Sequence, residues 1–195
     1  MNQGSGGDAA AAGRTAIGIN HVAYRCRDAE QTRWFYEDVL GLPLSHAFVS
    51  EVVPGLGDRV PFMHLFFRLG NGEYVAFFDQ PGTARPEHFA RAHSFDRHLA
   101  LEVADEATLL ACQRRINSMG VSCLGPVDHD FVKSVYMYDP NGLQVELTCR
   151  TQSFDATMNQ PREAVASVLG DWVRDTRAAK VATFGEQAID QRARR

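Results

Sequence analysis

The sequence predicts an α+β fold built from two consecutive βαβββ modules and a C-terminal helical extension. One strand–helix–strand–strand–strand series occurs twice, both copies begin with a His-aliphatic-Ala strand, and the periodicity becomes helical after Cys149. We divide the chain into a flexible tail (1–16), a first module (17–80), a linker (81–94), a second module (95–149) and the helical extension (150–195).

The first module begins with an apolar, β-rich segment. Asp28, with Gln31 three residues later, provides a cap-like start for the helix, and Gly41 ends it. The Gly-Asn-Gly turn at 70–72 indicates a hairpin between the last two strands. The predicted strands are residues 17–24, 42–53, 62–69 and 73–79.

The second module repeats this order, with His98 standing where His21 stood. Its helix covers residues 106–119 before Gly120, and the Pro-Asn-Gly turn at 140–142 joins the last two strands. The predicted strands are residues 97–103, 121–127, 132–138 and 143–149.

Pro161 opens the helical extension, whose apolar side chains fall on one face. That face contains Val165, Val168, Leu169, Trp172 and Val173. We expect it to pack on a module or on a second subunit, which is compatible with a homodimer. The arginine-rich end, 192–195, is expected to be a solvated terminus.

The composition is that of a globular protein: 195 residues, 45% hydrophobic and 23% charged. A net charge of -4 argues against a general binder of nucleic acid or anionic membranes, and no apolar run reaches the roughly 18 residues of a membrane span. The N-terminus lacks the features of a secretory signal. The four cysteines form no Cys-x-x-Cys pair, so we expect reduced thiols in a cytoplasmic protein.

Three residues are candidate metal ligands. His21 and His98 occupy the same repeat position, and paired modules would bring their strand faces together. Glu146 lies in an otherwise apolar strand, where a carboxylate needs a cation or a strong hydrogen-bond partner; an arginine is the alternative to a metal. The first module has Ala76 at the equivalent position, so we expect one three-ligand site per chain. Two imidazoles and one carboxylate favour Fe(II), with Mn(II) as the alternative.

Two further residues are candidates for catalysis. A three-residue hairpin loop places Tyr136 opposite Glu146, where its phenol would donate a hydrogen bond to a metal-bound substrate. His129 precedes that strand, in a loop from which an imidazole could act as an acid–base group. A solvated loop histidine and an ordinary strand tyrosine are the structural alternatives.

The second module contains a longer pattern that includes these residues. It reads His129, Val135-Tyr136, Asp139-Pro140, Gly142 and Glu146. With the paired modules, it resembles the vicinal oxygen chelate superfamily over residues 17–149, and type I extradiol ring-cleaving dioxygenases within the second module. The resemblance implies a cupped sheet around iron held by His21, His98 and Glu146.

The same resemblance implies roles for the remaining residues. Tyr136 would orient the substrate, His129 would be the active-site histidine of the signature, and either His88 or His93 would be an additional acid–base catalyst, with His88 preferred. The implied substrates are a catechol and O2. An apolar wall for an aromatic ring would come from Phe62, Phe66, Phe77 and Phe78, which are equally typical of a core.

Other functions share this fold. A glyoxalase-type lyase would need a fourth protein ligand where the chain has Ala76, and a thiol transferase would not need His129 with Tyr136. A metal-free binding or resistance protein would not need the complete ligand set. The sequence therefore favours a metal-dependent dioxygenase over these alternatives.

Overall fold

Two four-stranded sheets of identical topology form the body of the protein, as seen in a computed structural model that describes residues 16–53, 55, 57–91 and 93–191. The first sheet has the order β1-β4-β3-β2 and the second β5-β8-β7-β6. The strands are β1 (His21–Cys26), β2 (Leu44–Ser50), β3 (Phe62–Arg68), β4 (Tyr74–Asp79), β5 (His98–Glu102), β6 (Leu124–Asp128), β7 (Val132–Tyr138) and β8 (Gln144–Arg150). In each sheet the first strand of the module pairs in parallel with the fourth, and the other pairs are antiparallel. The predicted α+β repeat is confirmed.

Each module has one helix between its first two strands. Helix α1 (Ala29–Arg33) begins where the Asp28 carboxylate accepts a 2.7 Å hydrogen bond from the Gln31 amide, and it continues as a π-helical turn, Trp34–Val39. Helix α2 (Glu106–Ser118) begins in the same way, with Asp105 accepting from the Thr108 amide at 2.7 Å.

The linker carries two short 3₁₀ turns, Pro81–Thr83 and Pro86–Phe89, and packs against the turn before β8. Gly142 in that turn has φ 78°, and a Cβ there would lie 2.5 Å from the Phe89 carbonyl oxygen. The glycine is therefore required both by the backbone conformation and by the close approach of the linker.

The two modules share one hydrophobic core, formed by the helices and the strand faces that point toward them. In β4, Val75 and Phe77 are fully buried on this side, whereas Phe78 points to the opposite face. The second sheet contributes Val135 and Val145 in the same way. The helix-side faces of both sheets are consequently covered within a single chain.

A buried polar network joins the modules next to this core. The Asp139 carboxylate accepts hydrogen bonds from the Tyr36 hydroxyl at 3.1 Å, the Asn141 side-chain amide at 2.9 Å and the Leu143 backbone amide at 2.8 Å. The Asn141 amide also donates to Thr32 Oγ1 at 3.2 Å. Burial raises the pKa of the Asp139 carboxyl above its ordinary value.

The extension forms α3 (Phe154–Met158), α4 (Arg162–Phe184) and α5 (Glu186–Asp190). Helix α4 has no buried residue, and Trp172, at the centre of its apolar face, is 63% exposed. Packing of this face on a module is therefore not observed, and packing on a second subunit stays a prediction. The predictions of a flexible tail at residues 1–15 and of a solvated terminus at 192–195 concern residues outside the described ones.

Several predicted boundaries differ from those observed. The first strand begins at His21, not at Ile17, because the Ile19 amide donates to the Glu73 carboxylate at 3.0 Å and not to a strand partner. Strand β6 begins at Leu124, because the Asn117 side chain accepts the Cys123 amide proton at 3.0 Å.

The structure also shows the state of the cysteines and the lengths of the helices. The cysteines are free thiols, with Cys26, Cys123 and Cys149 buried and Cys112 half-buried. Among the helices of the described chain, none is both long and apolar enough to cross a membrane.

Candidate metal centre

The predicted equivalence between the modules is confirmed by strand register. In the first sheet His21 pairs with Tyr74 and Ala23 pairs with Ala76. In the second sheet His98 pairs with Gln144 and Ala100 pairs with Glu146. His21 and His98 therefore occupy one position of the repeat, and Ala76 and Glu146 occupy another.

His98 and Glu146 face one another in the second sheet. The His98 Nε2 atom lies 3.6 Å from Glu146 Oε2, and His98 Nδ1 lies 2.8 Å from the Ser94 carbonyl oxygen. Because a carbonyl can only accept, Nδ1 carries a proton and a neutral His98 presents the Nε2 lone pair to the carboxylate. A cation between the two atoms would satisfy both.

Glu146 is held in place from its other side. Its side chain is buried, and Oε1 accepts a hydrogen bond from the Ser134 hydroxyl, which also contacts Thr148. Within the described residues no arginine forms an ion pair with Glu146, so the arginine alternative is not observed. The oriented carboxylate, with Oε2 directed at His98, fits a divalent metal.

Tyr136 and His129 lie in the same cleft. Tyr136 pairs with Glu146 across β7 and β8, as the hairpin predicted, and its hydroxyl lies 2.8 Å from His129 Nε2. Burial and the neighbouring Glu146 charge raise the pKa of Tyr136, so the phenol keeps its proton at neutral pH. The cleft has a volume of about 380 Å³ and is lined by Ser94, Phe95, His98, His129, Tyr136, Gln144 and Glu146.

His21 is not among the residues that line this cleft. It is exposed on the first sheet, with Nδ1 2.7 Å from Asn20 Oδ1 and its ring 6.3 Å from that of His64. Among the described residues, no group of three His, Cys, Asp or Glu side chains is placed to hold a metal. The expected meeting of the two strand faces within one chain is thus not observed, because the modules pack through their helix-side faces instead.

The face of the first sheet around His21 is aromatic. Phe62, Phe66 and Phe78 lie on it, as expected for an apolar wall. The inclusion of Phe77 in that wall was wrong, since the alternation of β4 buries it in the core.

His64 on this face was not singled out from the sequence. It is buried, stacks on Phe78 with ring centroids 3.8 Å apart, and has Nδ1 2.9 Å from the Phe77 carbonyl oxygen. Burial lowers its pKa. The signal in the sequence was its place between Phe62 and Phe66, at the two-residue period of one strand face.

The two candidates for an additional acid–base histidine lie in the linker, outside the set of side chains that line the cleft. His88 Nδ1 accepts a hydrogen bond from the Arg85 amide at 3.2 Å, and His93 Nδ1 accepts one from the Phe95 amide at 3.2 Å. Both rings are exposed and stabilise local turns. A catalytic role for either remains a prediction.

Comparison with known proteins bears on the fold and the family. A search of curated proteins finds no match. A glyoxalase/dioxygenase from Nostoc punctiforme is similar in structure, with 23% identity, TM-score 0.50, and 70% of this chain and 92% of that chain covered. The fosfomycin resistance protein FosX from Listeria monocytogenes, complexed with Mn(II) and sulfate ion, has 16% identity, TM-score 0.51, and coverage of 72% and 98%.

At these identities the structural likeness shows a shared fold. The family itself is shown by sequence, since a family model matches residues 18–147, which span both modules from before β1 into β8. The chain belongs to the Glyoxalase/Bleomycin resistance protein/Dioxygenase superfamily.

Proposed function

We propose that this protein is a metal-dependent extradiol-type dioxygenase, which uses O2 to open the ring of a catecholic substrate beside its diol. The observation that carries the proposal is the placement of two pairs in one cleft: His98 with Glu146, and His129 with Tyr136. The first pair offers ligands, and the second offers a proton donor and acceptor. A metal-free binding protein would require neither.

The metal ligands are His98 and Glu146 of one chain and His21 of a second copy. His21 lies on an exposed sheet face, and His98 is also exposed. If a twofold dimer places the first sheet of each copy over the second sheet of the other, both sites receive their third ligand. The same arrangement lays the aromatic face around Phe66 over the cleft.

Fe(II) is the proposed metal, with Mn(II) the alternative, because two imidazoles and one carboxylate suit both ions and leave positions open for small molecules. When bound, the metal supplies a common site for diol and O2 and a path for electrons between them. The Ser94 carbonyl and the Ser134 hydroxyl fix the orientations of His98 and Glu146 beforehand.

The chain's own groups then position the substrate and move its protons. On substrate binding, the Tyr136 phenol passes its proton to His129 Nε2, which lies 2.8 Å away, and takes up the proton that the substrate hydroxyl releases. The phenol then donates a hydrogen bond to the deprotonated substrate oxygen. The apolar wall of Phe62, Phe66 and Phe78, contributed by the second copy, excludes water from the ring.

Other enzymes of the superfamily are the second candidates. A glyoxalase-type lyase or isomerase would place a fourth ligand at position 76, where this chain has a buried alanine. A thiol transferase would use two histidines and a glutamate without requiring the hydrogen-bonded His129 and Tyr136. Both observations favour the dioxygenase.

The test is anaerobic reconstitution with Fe(II), and in parallel with Mn(II), followed by oxygen uptake with a panel of catechols. We expect one O2 consumed per catechol and a yellow ring-opened product. Tight metal binding without oxygen uptake would contradict the dioxygenase and favour the lyase or transferase. Absence of metal binding would leave the metal-free binding protein.

A further inference from the structure

A second cavity adjoins the candidate metal cleft. It has a volume of about 500 Å³, and Tyr136 and Gln144 line both it and the cleft. Trp34, Arg91 and Tyr138 are among its other lining residues. The two spaces therefore meet at the start of β8, two residues before Glu146.

Arg91 provides a cation at this cavity. Its guanidinium carbon lies 4.8 Å from the centre of the Tyr138 ring, and no carboxylate of the described chain forms an ion pair with it. Asp139 also lines the cavity, but its oxygens already accept hydrogen bonds from Tyr36, Asn141 and Leu143. The guanidinium is left with donors for an external anion.

Gln144 provides an unsatisfied acceptor. Its Oε1 atom is buried, and within the described residues it has no hydrogen-bond donor. Buried polar atoms are normally paired, so an orphan atom between two cavities indicates a group that a ligand supplies. Because Oε1 is an acceptor, that group carries an O–H or N–H.

We propose that this cavity binds an aromatic carboxylate that also bears a hydroxyl. The carboxylate pairs with Arg91, the ring lies among Trp34, Tyr138 and Tyr136, and the hydroxyl donates to Gln144 Oε1. The identification of this molecule as the substrate rests on the proposed function; the substrate is then a catechol whose ring carries a carboxylate.

The test uses metal-free protein and the fluorescence of Trp34. The chain has two tryptophans, so Trp172→Phe, on exposed α4, leaves Trp34 as the single reporter. The probes are 4-hydroxybenzoate, benzoate and 4-hydroxybenzyl alcohol. We expect saturable quenching, with 4-hydroxybenzoate bound about tenfold more tightly than the uncharged alcohol, since a charge-assisted pair is lost with the carboxylate.

Variants separate the two contacts. Arg91→Gln should lower the affinity for 4-hydroxybenzoate to that for 4-hydroxybenzyl alcohol. Arg91→Lys, which keeps the positive charge, should retain part of the wild-type affinity. Gln144→Leu should weaken binding of 4-hydroxybenzoate while leaving benzoate unchanged. Arg150→Gln is the matched control, because Arg150 also lies over an aromatic ring, that of Phe154 at 4.2 Å, away from the cavity.

Equal affinity for acid and alcohol, unchanged binding in Arg91→Gln, or no quenching by any probe would overturn the proposal. Circular dichroism of each variant verifies folding. Because the assay needs neither metal nor turnover, its failure is distinguishable from failure of the proposed function: oxygen uptake without probe binding contradicts only the cavity, and probe binding without oxygen uptake contradicts only the dioxygenase.

Discussion

The two sheets have the same strand order and the same register, yet their outward faces differ in chemistry. In the second sheet Tyr136 faces Glu146; in the first, Phe66 faces Ala76. Ser134, which holds Glu146, corresponds in register to the buried His64. The second module has polar side chains at these three positions of the proposed metal site, and the first has a phenylalanine, an alanine and a buried histidine.

This difference assigns separate roles to identical backbones. In the proposed function, the second sheet supplies two ligands and the proton-transfer pair, and the first supplies one ligand, His21, which is surrounded by aromatic rings. Because the modules use their helix-side faces to pack on each other, the outward faces are available to a second copy. Substitutions that make one sheet resemble the other test these roles.

The largest effect is expected for Glu146→Gln, which removes the anionic ligand. Metal affinity should fall at least about a hundredfold, more than for loss of an outer-shell partner, and His98→Ala should have a similar effect. The metal content after dialysis and isothermal titration calorimetry measure the metal affinity of each variant. Glu102→Gln is the control, since Glu102 lies on the same face of β5 as His98 but forms an ion pair with Arg150 at 2.7 Å. Wild-type affinity in Glu146→Gln would contradict the ligand assignment.

The turn between the last two strands contributes more to stability in the second module than in the first. Asp139 stands where the first module has Leu69, as their equivalent backbone bonds to Leu143 and Glu73 show. Asp139→Leu should lower the free energy of unfolding by about 2–4 kcal/mol, because four buried donors lose their acceptor. Urea unfolding measures it.

The control is Asp175→Leu at an exposed position on α4, which should change the free energy of unfolding by less than about 0.5 kcal/mol.

The contribution of Asp139 to the free energy of unfolding should depend on pH. Burial raises the pKa of Asp139 in the folded state, so its contribution is greatest in acid and decreases as pH rises through that pKa. The difference between wild type and Asp139→Leu should therefore narrow as pH rises; a widening difference would contradict this account.

Tyr136→Phe gives the second sheet the residue that the first has at this position. We expect unchanged metal content and a rate of ring opening lowered about 10- to 100-fold through loss of the donor. His129→Phe should have a similar effect, and the double variant should be little worse than either, because the two groups act as one hydrogen-bonded pair. Tyr74→Phe, in the first sheet, is the control. If the losses of rate in Tyr136→Phe and His129→Phe added up in the double variant, the two residues would act independently and not as a pair.

The smallest effect is expected in the aromatic wall. Phe66→Leu should raise KM for a catechol a few-fold with kcat nearly unchanged, since one aromatic contact contributes about 0.5–1.5 kcal/mol. Steady-state oxygen uptake measures both constants. Phe184→Leu, at the exposed end of α4, should change neither. A fall in kcat alone would show that Phe66 does more than bind the ring.

Much of the fold was predictable because its signals are local. The repeated order of elements, the helix caps at Asp28 and Asp105, and the hairpin turns need only neighbouring residues. The turn also fixed the register that places Tyr136 opposite Glu146, and with it the part of the site that lies within one module.

What could not be predicted depends on which strand faces meet. Both faces of the first sheet are apolar, so the pattern does not distinguish the core side from the outer side. The choice between wall and core for Phe77 therefore needed the structure, which buries it in the core. The separation of His21 from His98 has the same origin. The roles of Asp139 in joining the modules and of Gln144 as an orphan acceptor arise from tertiary contacts, which strand periodicity does not encode.

The central claim is that each metal site takes His98 and Glu146 from one copy and His21 from another. Its most direct test mixes two variants, His21→Ala and His98→Ala, each expected to lose metal alone. After subunit exchange, half of the dimers are mixed and each has one intact site, so about one quarter of the wild-type metal content should return. No recovery, with exchange verified by mass spectrometry of differently tagged chains, would contradict the shared site.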